Sequence, residues 1–236
     1  MSAVDPSSEM AERLRAFVAR EEDLPEAAVT VSDLRRMAGG ASREIWSLGV
    51  ELQGDPPRRL DLVLRRDPPG RAGEGDRELE FRLLRVAHGA GVPVPRVHWS
   101  CADPGVLETP FFLMDRVEGE TIPRRLLRDE RYAGAREKML AQLAGILVRI
   151  HAIDLRHPDL AALPGAASED PPARAELDRI RQALGELQAE PHPVLDLAER
   201  WLRARLPRKA RRTLVHGDYR VGNVVFDESG VRSVLD

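Results

Sequence analysis

The sequence predicts an α+β chain with two regions: a strand-rich N-terminal region with one main helix, and a mostly helical C-terminal region. Three observations carry this expectation. Residues 46–52 alternate apolar and polar, residues 60–66 form a second strand-like run, and Gly54-Asp-Pro-Pro57 between them supplies turn chemistry. Farther along, Met139, Leu140, Leu143, Ile146, Leu147 and Ile150 recur at helical spacing. The composition, 42% hydrophobic and 32% charged with a net charge of −3, is that of an ordinary globular protein rather than a disordered one.

In order along the chain, residues 8–20 read as an amphipathic helix with Leu14, Phe17 and Val18 on one face and Ser7 or Ser8 as its cap. Met37-Ala-Gly-Gly-Ala-Ser-Arg-Glu44 then places glycines at the entrance to the strand–turn–strand unit. Residues 67–75, rich in Pro and Gly, read as a loop, and residues 76–88 as a helix carrying Leu79, Leu83, Leu84 and Ala87. The prolines of residues 92–97 keep that stretch out of a helix, because each disfavours helical backbone in the residue before it. Residues 109–117 read as a buried strand ending in the turn Glu118-Gly119. Helical periods return at Leu177, Ile180, Leu184 and Leu187 and over residues 194–206. Short strands are expected at 213–215, 222–226 and 231–235. The predicted division falls near residues 115–119, giving an N-terminal lobe of residues 1–116 and a C-terminal lobe of residues 117–236.

Composition also excludes classes. The near-neutral charge gives no field for nucleic acid or an anionic membrane. The basic run Arg203, Arg205, Arg208, Lys209, Arg211 and Arg212 has no interleaved aromatics and reads as a solvated helix end. No apolar run reaches the roughly 20 residues of a membrane span. The only cysteine, Cys101, cannot form a disulfide within the chain and reads as a small apolar filler. A cytoplasmic protein is expected. There is no zinc-type His/Cys cluster and no Gly-x-Ser-x-Gly elbow.

The sharpest signal is His216-Gly-Asp-Tyr-Arg-Val-Gly-Asn223, followed by a strand that delivers Asp236. Phosphoryl transfer needs these residue types: one carboxylate to orient an acceptor hydroxyl and take its proton, and hard oxygen donors to hold magnesium on the phosphates. This combination resembles the aminoglycoside-phosphotransferase and choline-kinase-like branch of the protein-kinase-like fold, in which His-Gly-Asp stands for the His-Arg-Asp of protein kinases. The resemblance covers residues 34–236 and implies a bilobal fold with a nucleotide between its lobes. It implies Asp218 as catalytic base and Asn223 and Asp236 as magnesium ligands. His216 is expected to hold the loop by hydrogen bonds rather than titrate.

The N-terminal half matches the same resemblance. Gly39, Gly40 and Ser42 look like the family's nucleotide-covering loop, and they form no Walker A sequence because no Gly-Lys-Ser/Thr follows. Arg65 stands where the family's phosphate-pairing lysine would be. That departs from the common pattern, since arginine and lysine are not equivalent, but it is similar to a subgroup associated with acyl-CoA dehydrogenases. The bland alternative is that Arg65 or Arg66 is a solvated strand residue. Glu80 resembles the helix glutamate that pairs with that side chain, and Glu78, on another face, is its rival. Met114, Asp115 and Val117 resemble the strand end and hinge beneath the adenine, with a plain core role for Met114 as the alternative.

The implied activity is transfer of the γ-phosphoryl group of ATP, or GTP, with Mg²⁺, to a hydroxyl of a small molecule. The rivals are a nucleotide-binding module without catalysis and a protein kinase; Gly217 and the missing strand lysine speak against the latter. The acceptor and the oligomeric state stay open. The resemblance further implies residues beyond Asp236, so a truncated C-terminus, lower stability than a longer form and poor activity are expected.

Overall fold

The computed structural model describes residues 6–37, 44–68, 76–163, 171–187, 190, 192–207 and 212–235. It contains seven α-helices and seven strands among them. These are α1 (Pro6–Glu21), β1 (Val29–Arg36), β2 (Glu44–Leu52), β3 (Arg58–Arg66), α2 (Arg77–Gly89), β4 (Val97–Cys101), α3 (Pro104–Leu107), β5 (Phe111–Asp115), α4 (Pro123–Arg128), α5 (Ala133–Ala152), α6 (Pro172–Glu186), α7 (Pro193–Arg203), β6 (Val224–Asp227) and β7 (Gly230–Val234). The chain divides into two compact units, residues 1–153 with 215–236, and residues 154–214. The division expected near residue 116 runs through the first unit.

The first unit is organised around an antiparallel sheet ordered β1-β2-β3-β5-β4. Strand period explains its two covers. Leu48, Val50 and Leu52 of β2, Leu62 and Leu64 of β3, and Phe111 and Leu113 of β5 share one core with Leu14, Phe17 and Val18 of α1. The alternate residues Val63, Phe112 and Met114 meet Phe81 and Leu84 of α2 on the other face. The apolar run Phe111–Met114 is therefore buried on both sides, as its position between two neighbouring strands requires. Phe17 stacks edge-on against Phe111 at 5.0 Å between ring centroids.

A second core joins α4 and α5 to the β6–β7 hairpin through Leu126, Tyr132, Met139, Val224 and Phe226. Gly119 makes this approach possible. Its φ of +150° is a glycine conformation, and a Cβ there would lie 2.5 Å from Val225 Cγ1 and 2.8 Å from Phe226 O. The chain after the sheet then pairs with β6: Glu120 and Phe226 exchange backbone hydrogen bonds of 2.8 and 2.9 Å.

Local details differ from what the sequence pattern shows. The sequence pattern does not announce β1 or β4. β1 is interrupted by a register shift between Ser32 and Arg35, with Asp33 at φ +53°, so its side chains do not alternate cleanly. β4 is short and follows two prolines. Residues 213–215 form no strand; they run without a ladder partner among the described residues. α5 does not bury its whole apolar set, since Leu140 is 80% exposed while Met139, Ile146 and Ile150 are buried.

The second unit is a pair of helices, α6 and α7, tied by Arg181 to Asp196 and Glu199 at 3.0 and 3.1 Å and by Arg203 to Asp178 at 2.6 Å. Arg203 thus belongs to an ion-pair network; Arg208, Lys209 and Arg211 of the basic run lie outside the described residues. No helix among the described residues is long and apolar enough to cross a membrane.

Candidate active site

The His216–Asn223 segment is a loop closed on itself. Gly217 has φ +85°, with nothing within 4 Å of where a Cβ would stand, so backbone conformation rather than space calls for glycine there. The turn brings Asn223 back to Asp218. Its Nδ2 donates to the Asp218 backbone carbonyl at 3.0 Å and to the carboxylate Oδ2 at 2.9 Å. The Arg220 guanidinium, through Nε, reaches both oxygens of the same carboxylate at 3.1 and 2.9 Å. These donors, Arg220 first, hold the Asp218 carboxyl below its ordinary range although the side chain is exposed.

His216 and Asn223 also fix the end of β7. His216 Nε2 lies 3.0 Å from the Leu235 carbonyl, and the Leu235 N–H donates to Asn223 O at 2.8 Å. Both backbone groups of the residue before Asp236 are thereby tied to this loop. Asp236 itself lies outside the described residues, as do Gly39, Gly40 and Ser42. Tyr219 anchors the loop from the other side: its hydroxyl donates to Leu143 O of α5 at 2.8 Å, and burial raises its pKa. Val234 N–H donates to Pro93 O at 2.7 Å, which ties the hairpin to the segment after α2.

In the sheet, Arg65 lies beside Glu80: Nη1 stands 2.7 Å from Oε1. Glu78 points elsewhere, accepting from Arg82 at 2.9 Å and from Ser100 at 2.8 Å. Neither arginine is solvated. Arg65 is 5% exposed and Arg66 8%, and Arg66 pairs with Glu44 at 2.8 Å while donating to Leu107 O at 3.1 Å. Met114 sits in the core with Val63, Phe81, Leu84 and Phe112. In the hinge, Asp115 N–H donates to Arg96 O at 2.8 Å and Arg116 N–H to Asp61 O at 2.9 Å, and the Asp115 carboxylate meets His98 Nε2 at 2.6 Å. Of the groups expected to form the hinge, the Val117 N–H has no acceptor among the described residues.

Three contributors are not singled out by the sequence pattern. Arg77 could be read as the residue three before Glu80 on the same helix face, whereas Arg220, two residues after Asp218 in a loop, has no periodic signal. Asp67 carries no local signal, because its partner Arg77 is reached only across the loop. Cys101 is buried, as a filler should be, and burial raises its thiol pKa.

Of the two expected magnesium ligands, only Asn223 is among the described residues. With Nδ2 committed to Asp218, Asn223 keeps its amide oxygen as a hard donor, the type magnesium requires. Among the described residues no three His, Cys, Asp or Glu side chains converge as a metal cluster.

The phosphotransferase enzyme family model matches residues 33–236, and the chain belongs to that family. Acyl-CoA dehydrogenase family member 10 of Mus musculus is 33% identical over 183 residues, covering 74% of this chain but 16% of its own length. Acyl-CoA dehydrogenase family member 11 of Homo sapiens is 28% identical over 185 residues, covering 74% and 22%. The chain thus spans about a fifth of the length of these curated relatives. A crystal structure from Ralstonia eutropha, named as an aminoglycoside phosphotransferase, superposes with a TM-score of 0.65 at 22% identity, covering 95% of this chain and 63% of that one. That likeness shows the fold, the kinase-like α+β fold of aminoglycoside phosphotransferases.

Proposed function

We propose that the chain carries the nucleotide-binding and catalytic residues of a small-molecule kinase, which transfers the γ-phosphoryl group of ATP, with GTP as the other candidate donor, to a hydroxyl. The observation that carries this reading is the arrangement at Asp218, whose carboxylate is oriented by Asn223 while the same loop ties down the residue before Asp236. A carboxylate held ionised and exposed can receive a hydroxyl donor and orient its oxygen for attack.

Each further group has a role in this reading. Asn223, through its amide oxygen, and Asp236 would hold magnesium, which when bound neutralises charge on the phosphates. Arg65 would contact the α- and β-phosphates as a planar fork, braced by Glu80. Gly39, Gly40 and Ser42 would cover the phosphates with backbone donors. Met114, the Asp115 carbonyl and the Val117 N–H would receive the adenine. The acceptor would be a small alcohol, such as a sugar, an amino alcohol or a hydroxyacyl compound.

The burial of Arg65 in an ion pair, at the position of the family's lysine, favours a second reading: a nucleotide-binding module with weak or no catalysis. Phosphoryl transfer separates the two. Labelled γ-phosphate should appear on an alcohol acceptor with the wild type and not with Asp218→Ala. Nucleotide binding without transfer to any alcohol would make the second reading the right one.

A further inference from the structure

Glu80 does not serve Arg65 alone. Its Oε1 meets Arg65 Nη1 at 2.7 Å, and its Oε2 accepts from Arg77 Nη1. Arg77 is in turn paired through Nε with Asp67 Oδ1 at 3.2 Å. Asp67 directly follows β3, and its carbonyl accepts from Thr109 Oγ1 at 2.9 Å. The side chains of Arg77 and Asp67 are each only 4% exposed. A chain of alternating charge thus runs Arg65, Glu80, Arg77, Asp67, buried except at the partly exposed Glu80.

The placement of Arg77 goes against local preference. Asp76 caps α2 by accepting from Leu79 N at 2.9 Å, which makes Arg77 the first helical residue. A cation there faces the positive end of the helix dipole, which is an unfavourable site. It is also buried, and desolvating a charge is costly unless it is well paired. Departures from local rules that persist concentrate where function needs them. Arg66 supplies the contrast. It sits on the opposite face of β3, where its guanidinium is taken up by Glu44 and the Leu107 carbonyl.

We infer that Arg77, held by Asp67, is a positioning residue for the nucleotide site: it takes one oxygen of Glu80 and thereby aims the other at Arg65. The inference rests on the reading that Arg65 contacts the phosphates. Two properties of the chain make the device useful. Arg77 and Glu80 are one turn apart on α2, so the carboxylate is gripped from its own helix and cannot turn away. Asp67 joins the end of β3 to the start of α2, and this keeps the helix at the distance from the strand that the Arg65–Glu80 contact needs.

The experiment measures the Kd for Mg·ATP calorimetrically and the Tm without nucleotide, in the purified protein and its variants. Arg65→Met, Glu80→Gln and Arg77→Met are each expected to weaken Mg·ATP binding about tenfold, the equivalent of 1.4 kcal/mol. Arg77→Met added to Glu80→Gln should weaken it less than twofold further, because Arg77 acts through Glu80. Arg77→Lys should recover some of the affinity. Arg66→Met should lower Tm at least as much as Arg77→Met while leaving Kd within twofold. Asp67→Asn, a milder change, gives the same affinity test if Arg77→Met does not fold. The proposal is overturned if Arg65→Met weakens binding while Arg77→Met and Asp67→Asn leave Kd unchanged, or if the Arg77 and Glu80 effects simply add. No Mg·ATP binding by the wild type, or none lost in Arg65→Met, would remove the nucleotide reading of Arg65 itself, and this proposal with it.

Discussion

Arg65 and Asp218 stand at opposite ends of the proposed reaction, and their surroundings differ in kind. Arg65 is buried within a chain of ion pairs, each charge compensated by side chains from β3 and α2. The Asp218 side chain is 60% exposed and is held by its own loop, through Arg220 and Asn223 two and five residues away. Burial makes the first cluster stiff but ties it to folding, because removing one partner leaves a desolvated charge. Exposure leaves the Asp218 carboxylate itself nearly uncoupled from folding, although its partner Asn223 is buried, so its placement depends on backbone turns. The difference implies that substitutions around Arg65 should show in stability as well as binding, and substitutions around Asp218 mainly in turnover.

The largest expected effect breaks the exposed cluster. Asp218→Ala should lower kcat by about 10²- to 10⁴-fold, with Mg·ATP affinity and Tm close to wild type. A fall in Tm comparable to that of a core variant would contradict the uncoupling. On the buried side, Arg65→Met should cost about 3 kcal/mol in urea unfolding, near the lower end for breaking a buried pair because Arg77 still compensates Glu80. A stability change under about 0.5 kcal/mol, the range of ordinary surface substitutions, would show that the cluster is less closed than its burial implies.

Gly217 sharpens the comparison, since its requirement is purely conformational. Gly217→Ala should cost about 1–2 kcal/mol locally and lower turnover, and Gly217→Asn should keep more of both because asparagine tolerates positive φ. Equal losses for the two would point to a steric rather than a backbone requirement. The smallest effect is in pH dependence. Arg220 stabilises the ionised form of Asp218 and lowers its pKa. Activity that needs the carboxylate should therefore be lost only as pH falls through that lowered value, and the stability contribution of the pair should fade over the same acidic window. Arg220→Met should move the acid limb of the rate profile to higher pH; an unmoved limb would remove Arg220 from the account.

The chemistry is more legible in the sequence than the scaffold around it. His216, Asp218 and Asn223 can be read because the reaction needs those residue types at that spacing, and the loop brings them together locally. The choice of Glu80 over Glu78 follows from its place one turn before Leu84, which does face the core. β1 is hidden because Asp33 breaks its alternation, and β4 because five residues after two prolines carry little pattern. Asp67 is hidden for another reason: its partner Arg77 is ten residues farther on, and only the fold brings the two together. Leu140 shares the helical period of α5 yet is exposed, because α5 is apolar around much of its circumference and periodicity alone does not select its buried face.

The most direct test of the phosphotransferase account is ³¹P NMR of the purified protein with Mg·ATP and a mixture of small alcohols, sugars and hydroxyacyl compounds, run beside Asp218→Ala after both are shown to bind nucleotide. The account predicts a new phosphomonoester signal that grows with ADP in the wild type and stays at background in the variant. Equal product in both, or bound nucleotide with no phosphomonoester from any acceptor class, would contradict it.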